Sequence, residues 1–312
     1  MTRNRQVAQL AFGYLQRATL LVVVYVVLVF LLPASRDVMH AYHLSAFQYR
    51  LILLAVTLPE LVAWLVAFDG YARLRQYVYA IRKTPEGAHF DKLAAGSAWL
   101  AWSLPLPVIL ALLLNALSNA WPAFYSASII IGNYFNLLLP LVAFILIGSA
   151  ARGLVNNAKI RFSLSGARTI MLLFLIAGVS YCYFTFRHFD PKSLGSSQNP
   201  YFLPIWLMIL TVIIPYLYAW FAGLLGAYEI TLFSKQTTGV LYRQALRLLA
   251  GGLAVIIISS IAVQYMNSIQ PLVGHLEIND RLVLISIFRV VGAGGFVLMA
   301  AGASRLKKIE EV

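Results

Sequence analysis

Eight long apolar stretches constrain this 312-residue chain more than any other feature of its sequence. Each approaches or exceeds the roughly 20 residues that a helix needs to cross about 30 Å of hydrocarbon. The stretches are continuous in Leu, Val, Ile and Ala, without the alternation typical of membrane barrel strands. The sequence therefore predicts an all-α integral membrane protein with eight transmembrane helices. The stretches are 11–32, 51–72, 93–117, 127–151, 169–186, 202–229, 246–269 and 282–303.

The composition excludes several classes of protein. Hydrophobic residues make up 61% of the chain and charged residues 11%, against about 45–50% and about 25% in soluble domains. A soluble enzyme and a disordered chain are excluded, and the lipid bilayer is the expected partner. A nucleic-acid partner is not expected, because the cations lie in short connectors rather than on a soluble basic face. The lone Cys182 cannot form an intramolecular disulfide.

The distribution of cations predicts the orientation. Connectors on one side hold eighteen of the 24 Lys and Arg residues, and cationic connectors stay cytoplasmic. Both termini are therefore expected on the cytoplasmic side of a cytoplasmic (inner) membrane. A cleaved signal peptide is the alternative for the first stretch, because Arg3 and Arg5 precede it. That stretch is long for a signal peptide, and the small-residue rule at the cleavage point is poorly met.

The two halves of the chain resemble each other. Several residues of the second and third stretches recur 156 positions later in the sixth and seventh, and the fourth and eighth stretches end alike at a shift of 153. Two four-helix repeats, 1–156 and 157–312, are predicted, with the same orientation because four is an even number of crossings. Chance similarity between Leu-rich helices is the alternative. The matches at 156 include Pro59 with Pro215, Trp64 with Trp220 and Gly96 with Gly252.

Two connectors are predicted to continue the preceding helices beyond the membrane. Residues 73–83 place apolar side chains at helical spacing, and residues 84–87 then form a turn. Residues 229–236 are predicted to extend the sixth stretch in the same way.

Two acidic residues lie near the cytoplasmic ends of these helices. Asp69 and Glu229 are within reach of Arg73, Arg75 or Lys235 along the sequence. Salt bridges at the level of the lipid headgroups are predicted for both.

A carboxylate and a guanidinium lie at similar depth inside the hydrocarbon. Glu60 is about ten residues from the outer end of the second stretch, and Arg289 is about eight residues into the last one. At 1.5 Å per residue the two depths agree within about one helical turn. Because an unpaired charge there costs about 2.5–3.5 kcal/mol, the two side chains are predicted to face each other.

The repeat adds two polar residues at equivalent positions. A shift of 156 pairs Glu60 with Tyr216, and a shift of 153 pairs Arg289 with Asn136. Together with helices broken by proline, these four residues form a candidate intramembrane polar site, as in transporters with midplane binding sites. The alternative is that Glu60 and Arg289 only pin two helices together.

Catalytic and cofactor motifs are absent from the sequence. It contains no H-E-x-x-H, G-x-S-x-G, P-loop or G-x-G-x-x-G pattern, so neither an enzyme nor a bound cofactor or metal is expected. His40 and His43 leave an external metal site as a minor alternative. The leading hypothesis is a small permease or channel-like subunit for a small solute or ion. The rival is a scaffold or sensor whose basic hairpins dock a partner.

Overall fold

The computed structural model describes most, but not all, of the chain. It covers residues 19–31, 44–105, 122–155, 213–266 and 278–310, and the single residues 17, 39, 109, 172, 176, 179 and 209; for 122–137, 278, 279 and 310 only the backbone is described. Every regular element within this part is helical. Seven helices have defined bounds: α1 (Thr19–Leu31), α2 (Ala46–Ile81), α3 (Gly87–Ser103), α4 (Pro122–Val155), α5 (Ile214–Gln236), α6 (Val240–Gln264) and α7 (Ile278–Glu310).

The described helices are those of a membrane protein. Four of them are long and apolar enough to cross a bilayer, namely α2, α6, Leu138–Val155 of α4 and Asp280–Ile309 of α7. The described residues thus contain four candidate spans rather than the eight predicted. Four predicted stretches, 11–32, 93–117, 202–229 and 246–269, are described only in part, and 169–186 lies outside the description except at three positions.

Helix α2 begins at a capping box and continues well past the apolar stretch. The Ser45 hydroxyl accepts a hydrogen bond from the Gln48 N–H, and the Gln48 side chain accepts one from the Ser45 N–H, which satisfies two free donors of the first turn. The helix ends at Ile81, before a turn over residues 82–86. The predicted continuation of the helix past its apolar stretch is confirmed, as is that of α5, which ends at Gln236.

Helices α2 to α7 form a closed ring. Each packs against its two neighbours in sequence order, and α7 packs back against α2. Helix α1 lies outside this ring on α2, where the Tyr25 hydroxyl is 2.7 Å from the Thr57 hydroxyl.

Two contacts in the ring join parallel helices, and we call them the two seams. In the first seam, between α2 and α7, Gly70 lies against Ala300; in the second, between α5 and α4, Gly226 lies against Gly148. In both, a Cβ on the glycine of α2 or α5 would lie 3.0 Å from a Cα of the other helix. The remaining contacts join antiparallel helices. The C-terminal ends of α2, α4, α5 and α7 therefore share one end of the ring with the N-terminal ends of α3 and α6.

The antiparallel contacts are equally close at two further glycines. A Cβ on Gly96 of α3 would lie 3.0 Å from the Ala143 carbonyl oxygen of α4, and one on Gly252 of α6 would lie 2.5 Å from the Gly295 carbonyl oxygen of α7. Small residues allow helix backbones to approach this closely within a membrane.

Candidate functional site

Glu60 and Arg289 meet across the first seam. Arg289 Nη1 lies 3.1 Å from Glu60 Oε1 and donates a hydrogen bond to the Val56 carbonyl oxygen at 2.7 Å. Because Pro59 has no N–H, α2 lacks one of its backbone bonds at this turn. The contact predicted from the two depths is confirmed, and each side chain keeps only about 15% of its surface exposed.

The pair leaves hydrogen-bonding capacity unused. Within the described part of the chain, Glu60 Oε2 and Arg289 Nε are buried and have no hydrogen-bond partner. The first is an acceptor and the second a donor. Since buried polar atoms in native proteins nearly always have a partner, water or a bound molecule is expected at this point.

These two side chains line a cavity of about 150 Å³ at the centre of the ring, which we call the central cavity. All six ring helices contribute to its wall. Its polar side chains are Glu60, Ser103, Tyr216, Ser259, Ser260, Gln264 and Arg289, and its other lining residues are Ala63, Leu100, Leu104, Pro140, Phe144, Ile256, Val263, Gly292, Ala293 and Phe296. A volume of this size can hold several water molecules or a solute of several non-hydrogen atoms.

Three of the four predicted site residues line the central cavity. Tyr216 lies there with Glu60 and Arg289, although its side chain is only 4% exposed. The side chain of Asn136 lies outside the described residues. Sequence reasoning missed the serines, although Ser103 and Ser259 are separated by the repeat shift of 156.

Twelve of the 17 lining residues fall into six pairs at constant sequence shifts. Residues of α2 and α3 pair with those of α5 and α6 at a shift of 156, and residues of α4 pair with those of α7 at 152. The pairs are Glu60 with Tyr216, Leu100 with Ile256, Ser103 with Ser259, Leu104 with Ser260, Pro140 with Gly292, and Phe144 with Phe296.

The close helix contacts follow the same shifts. Gly70 of α2 corresponds to Gly226 of α5 at a shift of 156, and Ala300 of α7 corresponds to Gly148 of α4 at a shift of 152. The contact of Gly70 with Ala300 in the first seam therefore matches that of Gly226 with Gly148 in the second. This register pairs α4 with α7 at 152 rather than 153. Arg289 then corresponds to Leu137, not to Asn136.

A second buried ion pair lies in the second seam. Arg152 Nε is 3.4 Å from Glu229 Oε1, and the two side chains are only 12% and 9% exposed. Glu229 thus forms the predicted salt bridge, but its partner is Arg152 on α4 and not one of the predicted cations Arg73, Arg75 or Lys235. For Asp69 the predicted partner is confirmed, since Arg73 Nε lies 2.5 Å from its Oδ2.

This second ion pair has a counterpart in the first seam that is a hydrogen bond from an arginine to a neutral serine. Arg73 Nη1 donates a hydrogen bond to the Ser304 hydroxyl at 2.9 Å. Arg73 corresponds to Glu229 at the shift of 156, and Ser304 corresponds to Arg152 at the shift of 152. Both seams thus place a polar contact one helical turn beyond their glycines.

Among the described residues no cluster of three His, Cys, Asp or Glu side chains could hold a metal ion. His40 and His43 lie outside the description. No family model, curated protein or solved structure shows a significant match to the chain.

Proposed function

We propose that the protein is a small permease that moves a small polar solute through the central cavity. The observation that carries this proposal is the convergence of six helices on one cavity whose charged pair has unused hydrogen-bonding atoms. Intramembrane charges are costly and are retained mainly where they pair or line a pathway. Glu60, Tyr216 and Arg289 are the proposed solute contacts, and Asn136 on α4 stays a candidate.

The proposal includes eight transmembrane helices in two parallel repeats, 1–156 and 157–312. The paired lining residues and the paired seams support a duplication. Because α4 and α5 are parallel neighbours, the chain between them has to return to the opposite end of the ring. The apolar stretch 169–186 has the length and composition for that crossing.

The orientation follows from the charge at the two ends of the ring. Among the described ring residues, twelve Lys and Arg lie toward the end shared by the α2 and α7 C-termini, against Arg50 and Arg281 toward the other. Under the positive-inside rule, the cation-rich end with the α2 and α7 C-termini is cytoplasmic. We place the protein in a cytoplasmic membrane with both termini inside.

Alternating access is the mechanism that this arrangement favours. In many duplicated transporters the solute binds between the halves near the midplane, and one half then moves against the other. Here the two seams are the contacts between the halves. The seams join the halves by close backbone contacts at Gly70 and Gly226. The central cavity lies on the N-terminal side of these glycines in α2 and α5, next to Glu60 and Tyr216.

Water access to the central cavity tests the proposal. With Cys182 replaced by Ser, cysteines are introduced singly at Ser260, which lines the cavity, and at Ile258, which is 59% exposed on the outside of the same helix. Because only a hydrated thiol ionises readily, we expect Ser260→Cys to react with 2-aminoethyl methanethiosulfonate at least about tenfold faster than Ile258→Cys. The rate is measured in sealed proteoliposomes.

The reverse outcome supports the scaffold hypothesis. If Ser260→Cys reacts no faster than Ile258→Cys from either side of the membrane, the centre of the ring is dry. The permease proposal then fails, and the Glu60–Arg289 pair serves only to pin α2 to α7.

A further inference from the structure

The central cavity has no net charge in the part of its wall that the structure describes. Glu60 and Arg289 are the charged side chains there, and their signs cancel. The other polar groups are hydroxyls and one amide. A site that selected a simple cation or anion would present an excess of the opposite charge.

The unused atoms of the pair have opposite hydrogen-bonding characters. Glu60 Oε2 accepts and Arg289 Nε donates, and both are buried without a partner in the described residues. The bonded atoms of the same two groups are only 3.1 Å apart. Because both side chains also line the central cavity, a small molecule there could meet both groups at once.

We propose that the solute is a small, electroneutral, dipolar molecule that carries a hydrogen-bond donor group and an acceptor group. Its ammonium or amide N–H binds Glu60, and its carboxylate or carbonyl oxygen binds Arg289. This inference rests on the proposed function. It narrows the solute from any small polar species to a zwitterion or a neutral amide.

Electrostatics disfavours an inorganic ion at this position. A cation drawn to Glu60 would lie only a few ångströms farther from the Arg289 guanidinium, so most of the Coulomb attraction would be cancelled by repulsion. A dipolar molecule is attracted at both ends. Charge-assisted hydrogen bonds of this kind are shorter and stronger than neutral ones.

The size of the cavity limits the solute further. About 150 Å³ is room for several non-hydrogen atoms, which suits glycine or urea and excludes a peptide or a sugar chain. Glycine and urea are therefore the probes, with methylammonium and acetate as charged molecules of similar size.

The test compares uptake of these four radiolabelled probes into proteoliposomes. For the unmodified protein we expect glycine or urea to enter at least about tenfold faster than either ion, a preference that corresponds to about 1.4 kcal/mol. Glu60→Gln leaves a net positive site and should raise acetate uptake relative to glycine. Arg289→Gln leaves a net negative site and should raise methylammonium uptake relative to glycine uptake.

Two further variants keep the result interpretable. Arg281→Gln changes a charge on the same helix outside the cavity lining and should keep the original preference. Where a single pair variant does not fold, Glu60→Gln with Arg289→Gln preserves the zero net charge and should lower glycine uptake more than urea uptake, because the charged ends of glycine lose their charged partners.

The inference and the proposed function can fail separately. If the unmodified protein transports either ion faster than both dipolar probes, the proposed solute class is wrong, but the proposal of a permease remains valid. The same holds if neither dipolar probe enters although Ser260→Cys reacts from water. If no probe enters and Ser260→Cys is unreactive, the permease itself is wrong.

Discussion

Arg289→Leu is expected to destabilise the protein by about 3–5 kcal/mol, because it leaves the Glu60 carboxylate buried without its partner. It also removes the donor to the Val56 carbonyl oxygen. The double variant Glu60→Leu with Arg289→Leu should recover most of that stability, since two apolar side chains of similar volume replace a buried ion pair at little net cost. The free energy of unfolding is measured in lipid bilayers or mild detergent for all three proteins.

Uptake measurements on the same variants distinguish a Glu60–Arg289 pair that lines the solute pathway from one that only holds α2 and α7 together. We expect the double variant to be folded but to transport none of the probe solutes, because the binding groups are gone. A double variant that transports normally would show that the pair lies off the pathway. Arg281→Leu, near the start of α7 and outside the cavity lining, serves as the matched control and should change the stability by less than about 0.5 kcal/mol.

Gly252→Ala is expected to destabilise the protein by about 1–3 kcal/mol. The new Cβ would lie 2.5 Å from the Gly295 carbonyl oxygen and 2.8 Å from the Met299 backbone nitrogen. Because both obstacles are backbone atoms, α6 and α7 have to separate. The measurement is the midpoint and free energy of unfolding in detergent or lipid.

The adjacent residue provides an internal control. A Cβ on Gly251 meets nothing within 4 Å, so Gly251→Ala should leave stability unchanged or raise it by about 0.5–1 kcal/mol, the usual helical advantage of alanine over glycine. Equal losses for the two variants would contradict the close contact between α6 and α7. Gly96→Ala should cost less than Gly252→Ala, because its nearest obstacle is the Ile147 side chain, which can move.

The sequence predicted the main ion pair because depth in a membrane can be counted in residues. Glu60 and Arg289 lie at one level, and an unpaired charge at that level is too costly to leave alone. Tyr216 was found through the internal repeat. The extension of α2 to Ile81 and of α5 to Gln236 followed from helical spacing and turn residues.

Other features depend on which helices are neighbours, which residue spacing does not reveal. Arg152 and Glu229 are distant in sequence and meet only because α4 and α5 lie side by side. Ser103 and Ser259 look like ordinary small residues of apolar helices until the ring places both on one cavity. The shift that relates α4 to the equivalent helix α7 is 152 in the structure, one residue less than the shift of 153 from the sequence match. Small, similar residues near the ends of the two helices align almost equally well at either shift.

The unequal chemistry of the two seams has a consequence for any molecule held between them. One side of the central cavity offers the Glu60 carboxylate and the Arg289 guanidinium, while the position that matches Glu60 at the shift of 156 offers the Tyr216 ring. Turning a bound molecule by half a revolution about the pseudo-twofold axis would thus move the group that meets the Glu60 carboxylate onto the Tyr216 ring. A paired helix arrangement with such unequal side chains would hold a solute in a single preferred orientation.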